Sequence, residues 1–595
     1  MRYDEPMRDN VDSAPVELHW RRETATRAGL IVDAGDYFEA GRKAMLKARR
    51  RIMLIGWDFD ARIELSDERL PGEPRTLGEF MLWLVKRNPD LEVFLLRWNI
   101  GALRALFRGT TIFTLMRWMA HPRIHTRLDA ASTLGASHHH KIVVIDDCLA
   151  FCGGIDMTSN RWDTPEHRDG DPRRIGPDGG PYEPWHDATS ILEGPVAQAL
   201  GELSRKRWQA AGGHALEPVD CGADCWPEGV EAQFRDVAVS IARSRPEGDD
   251  GGPPVREIEA TYLALIARAR KYIYAESQYF ASRSIAEAIA HRLEEPGGPE
   301  IVLINPFKSQ GWLEPVAMDT ARARLYGAIE HLDCDARFRI YHPFTAAGTP
   351  IYVHAKMMIV DDEVLHVGSS NMNNRSMRLD TECDVTLDAR VPGNEGAAPT
   401  IRALRDGLLA EHLGVTAEAV AAAAYVHNGP PSITLFTVTS TRNGAGAHAG
   451  LLINSGQRVM FDPAGSWRHP RLPERNDVHF GMTPKMVDFY IDYHARETYD
   501  VVEQTIVVTP EVAAIAMQRA LDYGAVPKSQ CAAAVSSILR GVPGFESLPS
   551  TWFPKRLMQA FGQLPGVTTR KITDDDADQN HGVLLVQAAE APTDG

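Results

Sequence analysis

Two segments of the chain carry the same reactive side chains at the same spacing: His139, Lys141 and Asp146, and His354, Lys356 and Asp361. Each reads His-x-Lys-x4-Asp, and seven residues after each Asp stands a glycine, Gly153 or Gly368. A lone His-x-Lys on a strand is an everyday accident, whereas a repeated one with matching Asp and Gly is not. Residues two apart on a strand leave the same face. Two facing copies would therefore bring two imidazoles and two ammonium groups to one pocket. That set suits cleavage of a phosphodiester. Such a centre is anionic and poorly electrophilic, so it needs its non-bridging oxygens neutralised, a nucleophile at phosphorus and a proton for the leaving alcohol. Lys141 and Lys356 meet the first need. One neutral imidazole and one imidazolium meet the other two near neutral pH. Asp146 and Asp361 fall at strand ends and are expected to brace the motif rather than touch substrate.

The elements that must position these groups are themselves duplicated. The segment 51–60 is matched by 271–280, 92–96 by 300–304 and 139–146 by 354–361, in the same order. The apolar runs are short and β-branched or aromatic, and helical patterns precede them at 36–49 and 256–271, so helix and strand alternate. The expected fold class is α/β, with two pseudo-symmetric α/β/α lobes at 21–245 and 255–425 sharing a central active site after a short tail at 1–20. The lobe boundary is placed in the Pro- and Gly-rich stretch 244–254. A second irregular stretch, 163–184, has the length and composition of a functional loop over the first motif. After 428–431 the composition changes to strand-like runs at 433–438 and 449–454, which opens a C-terminal α+β domain at 426–595. The acidic run 574–578 reads as a solvated turn or tail.

With these residues in view, the chain resembles the phospholipase D superfamily over about 20–414, its signature being His-x-Lys-x4-Asp-x6-Gly-[Gly/Ser]. The segments 151–156, 161–167, 184–187, 275–280 and 368–376 look like the phospholipase branch more than the single-repeat nucleases. The resemblance implies that both lobes are phospholipase D-like and that the reaction has two steps. His139 attacks phosphorus to form a phosphohistidine; His354 protonates the leaving alcohol and then activates water or another alcohol. It also implies an acidic partner for each histidine, Glu382 for His139 and Asp187 for His354, to fix the tautomer and stabilise the cation. Asn371 matches the family's phosphate-contacting residue, beside Lys141 and Lys356. The first repeat has Asp156 in that place, and an acid facing an anionic substrate would repel it, so Asp156 is expected to be turned away or protonated. The implied activity is hydrolysis of phospholipids to phosphatidic acid and free headgroup, with transphosphatidylation when an alcohol replaces water. A cardiolipin-synthase-like transferase is a second reading, disfavoured because those enzymes carry N-terminal membrane spans; a nuclease of the same superfamily is a third. A decayed scaffold would have lost a His or Lys from one motif, and neither is lost. No cofactor and no metal is called for, since two lysines replace the cation.

Beyond about 426 a different set appears. His448 lies in a strand-like run at 447–453, Asp462 follows in 461–463, and Cys531 opens a helical pattern at 529–539, where the helix dipole lowers a thiol's pKa. This order is similar to the circularly permuted branch of the NlpC/P60 papain-like superfamily of amidases, peptidases and acyltransferases. The similarity implies a second site with Cys531 as nucleophile, His448 as base and Asp462 as orienter. A buried helix cysteine and a satisfied strand histidine are the alternative, and spacing leaves both open. A lipase joined to an amidase would suit an antibacterial effector exported by a dedicated secretion machine.

Composition narrows the partners. A net charge of −16 argues against a stable nucleic-acid partner, which needs clustered Lys and Arg. The basic stretches 42–51 and 103–117 remain, the first also reading as a solvated helix face. Seven cysteines, an odd number without framework spacing, read as reduced thiols. Cys221 and Cys225 lack the second Cys or His pair a zinc site needs. There is no signal-peptide pattern and no run near about 18 apolar residues, so a cytoplasmic monomer is expected, meeting phospholipid at a membrane surface without a transmembrane segment. The calcium-binding membrane module of the plant enzymes has no counterpart before Trp20. Membrane contact would come from the lobes, where 106–119 mixes aromatics and arginines as an interfacial segment does, or as an amphipathic core helix does.

Overall fold

A computed structural model describes residues 17–98, 116–129, 135–220, 222, 224–247, 252–308, 320–333, 337–423, 429–469, 472 and 474–574. The stretches 103–117 and 106–119 lie outside the described residues up to 115, as do Cys221, 248–251, 424–428 and the acidic run beyond Asp574. The chain forms two compact units, Met1–Arg405 and Asp406–Gly595. No helix among the described residues is long and apolar enough to cross a membrane.

The first half of the first unit contributes β1 (Arg21–Val32), β2 (Arg51–Gly56), β3 (Glu92–Trp98), β4 (Ile124–Asp129), β5 (Ile142–Ile145), β6 (Leu149–Gly153) and β7 (Ala188–Glu193). The second half contributes β8 (Phe234–Arg245), β9 (Tyr272–Ser277), β10 (Glu300–Ile304), β11 (Phe338–Tyr341), β12 (Lys356–Val360), β13 (Val364–Gly368) and β14 (Glu382–Asp388). Among the described residues they form one sheet, ordered β11-β10-β9-β12-β13-β14-β8-β1-β7-β6-β5-β2-β3-β4, with Val255–Arg256 added on β8. Read outward from its centre, one half is β1-β7-β6-β5-β2-β3-β4 and the other β8-β14-β13-β12-β9-β10-β11, so every strand has a counterpart seven labels on. The sequence duplication is thus a duplication of strand order. In it β8 holds the place of β1, and 244–254 connects β8 to the following helix within the second half.

The helix α1 (Ala34–Lys47) buries Tyr37, Phe38, Ala44 and Met45, and α2 (Glu257–Arg268) buries Ile258, Tyr262, Leu265 and Ile266. This is the one-sided spacing of helices laid on a sheet, and each half packs its own core around its helix. Strands β5 and β12 are buried along their whole length, as strands covered on both faces must be. They begin at Ile142 and Lys356, so His139 and His354 stand just ahead of the strands rather than on them as the sequence suggests.

Each motif Asp starts the turn that closes its hairpin. Asp146 and Asp147 have φ of 51° and 51°, Asp361 and Asp362 of 54° and 59°, a left-handed conformation that Asp tolerates and β-branched residues do not. The Asp146 carboxylate accepts the N–H groups of Arg49, Arg50 and Arg51 at 2.6, 2.8 and 2.6 Å. Asp361 does the same for Arg270, Lys271 and Tyr272 at 2.7, 2.8 and 3.0 Å. Each thereby ties its hairpin to the chain entering β2 or β9. Removing this acceptor leaves three N–H groups without a charged partner. Asp146→Ala is therefore expected to cost about 2–3 kcal/mol of stability, read as a lowered thermal midpoint; an unchanged midpoint would show the brace to be immaterial.

The motif glycines answer to close packing. A Cβ on Gly153 would lie 2.4 Å from Thr189 Cα on β7, and one on Gly368 would lie 2.5 Å from Asp384 Cα on β14. The cysteine expectation needs correction at Cys148, which is disulfide-bonded to a partner outside the described residues; Cys152, Cys225, Cys383 and Cys531 are free and buried. The loop 163–184 also differs from expectation. It folds on Asp163, which accepts from Arg174 at 2.9 Å and from Trp185 N at 2.8 Å. It reaches the second half, where Asp169 accepts from Thr345, Ala347 and Thr349. The loop therefore delivers Trp185–His186 to pair with Tyr352–Val353, ahead of the second motif.

The second unit holds a seven-stranded antiparallel sheet of β15 (Ser432–Ser440), β16 (Gly446–Ser455), β17 (Gln457–Phe461), β18 (Glu474–Arg475), β19 (Val478–His479), β20 (Tyr499–Val507) and β21 (Thr568–Ile572), in the order β18-β19-β17-β16-β15-β20-β21 among the described residues. The helix α3 (Pro484–His494) packs Met486 and Tyr490 with Phe436 and Leu452. A separate core joins α4 (Pro510–Tyr523), α5 (Cys531–Arg540) and α6 (Pro554–Phe561) to Leu435, Leu451 and Ile453. Alternate residues of β15 and β16 thus serve the two cores, which gives an α+β sandwich.

Candidate active site

Each motif histidine is fixed by the opposite half. The backbone N–H of His139 donates to Thr381 O at 2.9 Å, and that of His354 to His186 O at 2.7 Å. The next residue after each acceptor is an acid. His139 Nδ1 lies 3.0 Å from both carboxylate oxygens of Glu382, and His354 Nδ1 lies 2.6 Å from Asp187 Oδ2. Both acids are fully buried and oriented in turn, Glu382 by the Ser369 hydroxyl at 2.5 Å and Asp187 by Ala188 N at 2.8 Å. Gly154 belongs to this arrangement, since a Cβ there would sit 2.1 Å from Asp187 Oδ1. With Nδ1 engaged by a carboxylate, each ring keeps Nε2 for chemistry.

The lysines bend back onto their own histidines. Lys141 Nζ donates to His139 O at 3.2 Å, and Lys356 Nζ donates to His354 O. Lys141 also pairs with Asp156 Oδ2 at 3.2 Å, while Asp156 Oδ1 accepts from Trp57 N at 3.1 Å. Asp156, expected to be turned away or protonated, directs its carboxyl group at Lys141 and Trp57 N, and the Lys141 contact offsets the repulsion foreseen for it. Asn371 is buried; its backbone N–H donates to Ser376 Oγ at 3.1 Å and its side-chain NH2 to Gln278 Oε1 at 3.5 Å. The NH2 group has a second N–H to donate to a phosphate oxygen.

Three residues given no role by the sequence complete the surroundings. The Trp57 ring meets the His139 ring edge-on at 6.4 Å and stacks on Trp98 at 5.8 Å. Trp185 lies 5.1 Å from the His354 ring, stacks on Tyr352 at 4.6 Å and carries the Arg161 guanidinium 3.9 Å from its centre. Trp57 falls within the matched segment 51–60, and Arg161 and Trp185 within the segments 161–167 and 184–187 that carry the family resemblance.

Burial dominates the electrostatics. It holds His139 down to about 3, with Lys141 and Lys356 acting in the same direction. His354 is also well below its ordinary value, through burial and then Lys356. Burial pushes Glu382 up to about 8 and raises Asp187. Both rings are consequently neutral in the empty site, the form in which His139 is a nucleophile; His354 becomes the acid once the anionic substrate, together with Asp187, raises it enough to take a proton on Nε2. Burial, aided by Lys141, depresses Lys356 to about 7. Its ammonium is present below that pH and lost above it, so kcat/KM, which reports the free enzyme, is expected to fall as pH rises through about 7. A bound phosphate would favour the charged form and carry the same limb upward in kcat. Lys356→Arg, whose charge does not titrate, should remove the limb from the pH–rate profile even where it lowers the rate.

In the second unit, Cys531 is the first residue of α5, His448 lies on β16 and Asp462 follows β17. His448 Nε2 lies 2.6 Å from Asp462 Oδ1, and the ring is also hydrogen-bonded to the Cys531 thiol. Tyr490 OH donates to Asp462 Oδ1 at 2.9 Å, and the His494 ring stacks on His448 at 5.6 Å. Register slips between Val438 and Thr439, opposite His448, as bulges beside sites do. Burial alone would push the Cys531 thiol up, but the His448 hydrogen bond and charge bring it down; burial would lower His448, but Asp462 and then the thiol raise it to about 10. The pair is thereby biased toward an imidazolium facing a thiolate. His448, Asp462 and His494 are also close enough to hold a metal ion, an arrangement that would compete with Cys531 for His448.

The profile of the family described as "Phospholipase D" matches residues 44–244 and 333–427. Similar curated proteins include phospholipase D alpha 1 of Nicotiana tabacum, 26% identical with 65% of this chain and 66% of that protein covered. The same enzyme of Carica papaya is 25% identical, with 64% and 65% covered. The match thus spans just under two thirds of these relatives' own length. Among solved structures, phosphatidylserine synthase of Haemophilus influenzae Rd KW20 aligns at a TM-score of 0.45 and 13% identity, over 65% of this chain and 86% of that one. Nuc of Salmonella typhimurium, described as a phospholipase D family member, aligns at 0.20 and 14%, over 28% and 91%. The profile falls on both His-x-Lys motifs and both crossed carboxylates, and on that footing the chain belongs to the phospholipase D superfamily.

Proposed function

We propose that the first unit is a phospholipase D, releasing the headgroup of a phospholipid through a phosphohistidine. The observation that carries this is the crossed pairing of His139 with Glu382 and His354 with Asp187, flanked by two buried lysines. His139 Nε2 attacks phosphorus, forming the N–P bond as the P–O bond to the headgroup breaks. His354 supplies the proton to the departing oxygen, Asp187 supporting its cation. Lys141, Lys356 and Asn371 hold the non-bridging oxygens. Water then enters where the headgroup left, gives its proton to His354, and N–P cleavage yields phosphatidic acid. An alcohol in place of water gives the transphosphatidylated lipid. The disulfide at Cys148 favours action in an oxidising compartment after export. The test is headgroup release from mixed phospholipid vesicles with ethanol present. Phosphatidic acid and phosphatidylethanol from wild type, and neither from His139→Ala, are expected. Cleavage of nucleic acid with no release from any lipid would keep the chemistry and overturn the substrate.

A second reading concerns residues 406–595. The hydrogen-bonded series Cys531–His448–Asp462 supports a cysteine acyl-transfer site there, with Cys531 as nucleophile, His448 as acid and base, and Asp462 orienting the ring. Loss of Cys531-dependent acyl chemistry in Cys531→Ala, with headgroup release intact, is the expected separation of the two units.

A further inference from the structure

Trp552 and Phe553 are consecutive and 59% and 70% exposed, the two most exposed aromatic side chains among the described residues. Lys555 and Arg556, also exposed, follow them. Isolated exposed apolar residues need no explanation, but two large adjacent aromatics backed by cations form the combination that settles at an anionic lipid–water interface.

This segment is built into the cysteine site. A Cβ on Gly446 would lie 2.5 Å from Lys555 N and 3.0 Å from Pro554 Cβ, so the start of α6 rests on β16 two residues before His448. On the other side, Thr551 N donates to Ser536 Oγ at 3.4 Å, on α5 about a turn and a half beyond Cys531. Residues 551–556 therefore span from the strand of the base to the helix of the nucleophile, and their aromatic side chains point out of the protein.

Resting on the cysteine reading above, we infer that the second unit takes its substrate from a membrane surface and deacylates phospholipid there, Trp552 and Phe553 entering an anionic bilayer beside the nucleophile. A bilayer offers carbonyls as fatty-acyl esters, at the depth where interfacial aromatics lie. Cys531 Sγ attacks the ester carbon; the S–C bond forms, the C–O bond to glycerol breaks, and the His448 proton goes to the glycerol oxygen. Water, deprotonated by His448, then cleaves the thioester, giving a fatty acid and restoring the thiolate. The lysolipid retains its phosphodiester, so one lipid could serve both units in either order.

The test uses the full chain and two probes, p-nitrophenyl butyrate in solution and vesicles of phosphatidylglycerol with phosphatidylethanolamine. The readout on vesicles is free fatty acid, which headgroup cleavage does not produce. Cys531→Ala should lose about 100-fold or more on both probes. The Trp552→Ser/Phe553→Ser variant should keep the soluble ester rate within about twofold and lose about tenfold or more on vesicles, with an unchanged thermal midpoint because both side chains are exposed. Cleavage of neither probe in a Cys531-dependent way overturns the cysteine reading and this inference with it. Cys531-dependent cleavage of the soluble ester, with no fatty acid from vesicles or with equal release by the aromatic variant, overturns the inference and leaves the cysteine reading standing.

Discussion

His139→Ala is expected to reduce phospholipid turnover by about ten-thousand-fold or more, and His354→Ala by a comparable factor, for different reasons that one substrate separates. Without His139 no atom attacks phosphorus, so no leaving group, however good, is released through the covalent route. Without His354 the nucleophile and both lysines remain, and what is missing is the proton for an alkoxide. From a phosphodiester of p-nitrophenol the leaving group departs as the stable p-nitrophenolate and needs no such proton. His354→Ala should therefore release a burst of about one p-nitrophenolate per enzyme and then stall, since the imidazole that activates water is gone. His139→Ala should show no burst. A burst from His139→Ala and none from His354→Ala would exchange the two roles. Equal, burst-free loss in both would argue against a covalent intermediate. Each ring has a buried carboxylate on Nδ1 and a lysine on its own backbone carbonyl, so the burst is the property in which the two variants differ.

Spacing along the chain reveals what is written at short range, and the duplication is of that kind. The intervals from His139 to Gly153 and from His354 to Gly368 are covalent facts, and the strand order that repeats seven labels on follows from helix–strand units that also repeat. Contacts that cross between halves leave no such trace. Glu382 is 243 residues from His139 and Asp187 is 167 from His354; only resemblance brings them forward, and only backbone pairing at Thr381 and His186 explains why the following side chain arrives at the ring. Asp156 shows the limit of arguing from charge alone. Repulsion from substrate is a sound consideration, but Lys141 faces the same residue at 3.2 Å and offsets its charge. The loop 163–184 was equally opaque, since its length marks it as functional while the acceptors that seat it, Asp163 and Asp169, are ordinary loop residues until their partners are in place. In the second unit the order His448, Asp462, Cys531 is legible, but strands β16 and β17 and helix α5 must pack before it becomes a hydrogen-bonded series.

Asp187→Asn is expected to lower kcat by about a thousandfold or more while leaving the fold in place, an effect larger than the loss of one hydrogen bond suggests. Asp187 Oδ2 lies 2.6 Å from His354 Nδ1, and Oδ1 is held by Ala188 N at 2.8 Å. With Oδ1 fixed as an acceptor, the asparagine must keep its oxygen there and turn its NH2 group toward Nδ1. That reverses the hydrogen bond: Nδ1 becomes the acceptor and the ring's proton moves to Nε2, where it cannot accept a proton from water. The cation that His354 must carry also loses the negative charge at its Nδ1, in a site where burial already holds the ring far below its ordinary value. The side chain is the same size and fully buried, so the thermal midpoint should move by only a few degrees while the rate collapses. Glu382→Gln should be milder in the first step, because His139 needs only a neutral ring to attack and its Nδ1 also faces Ser369 O at 3.1 Å, an acceptor that preserves the tautomer. Steady-state rates of the two variants alongside their melting curves would show this asymmetry. Equal and small losses, of less than about tenfold in kcat, would mean that the carboxylates pack the rings but do not set their protons.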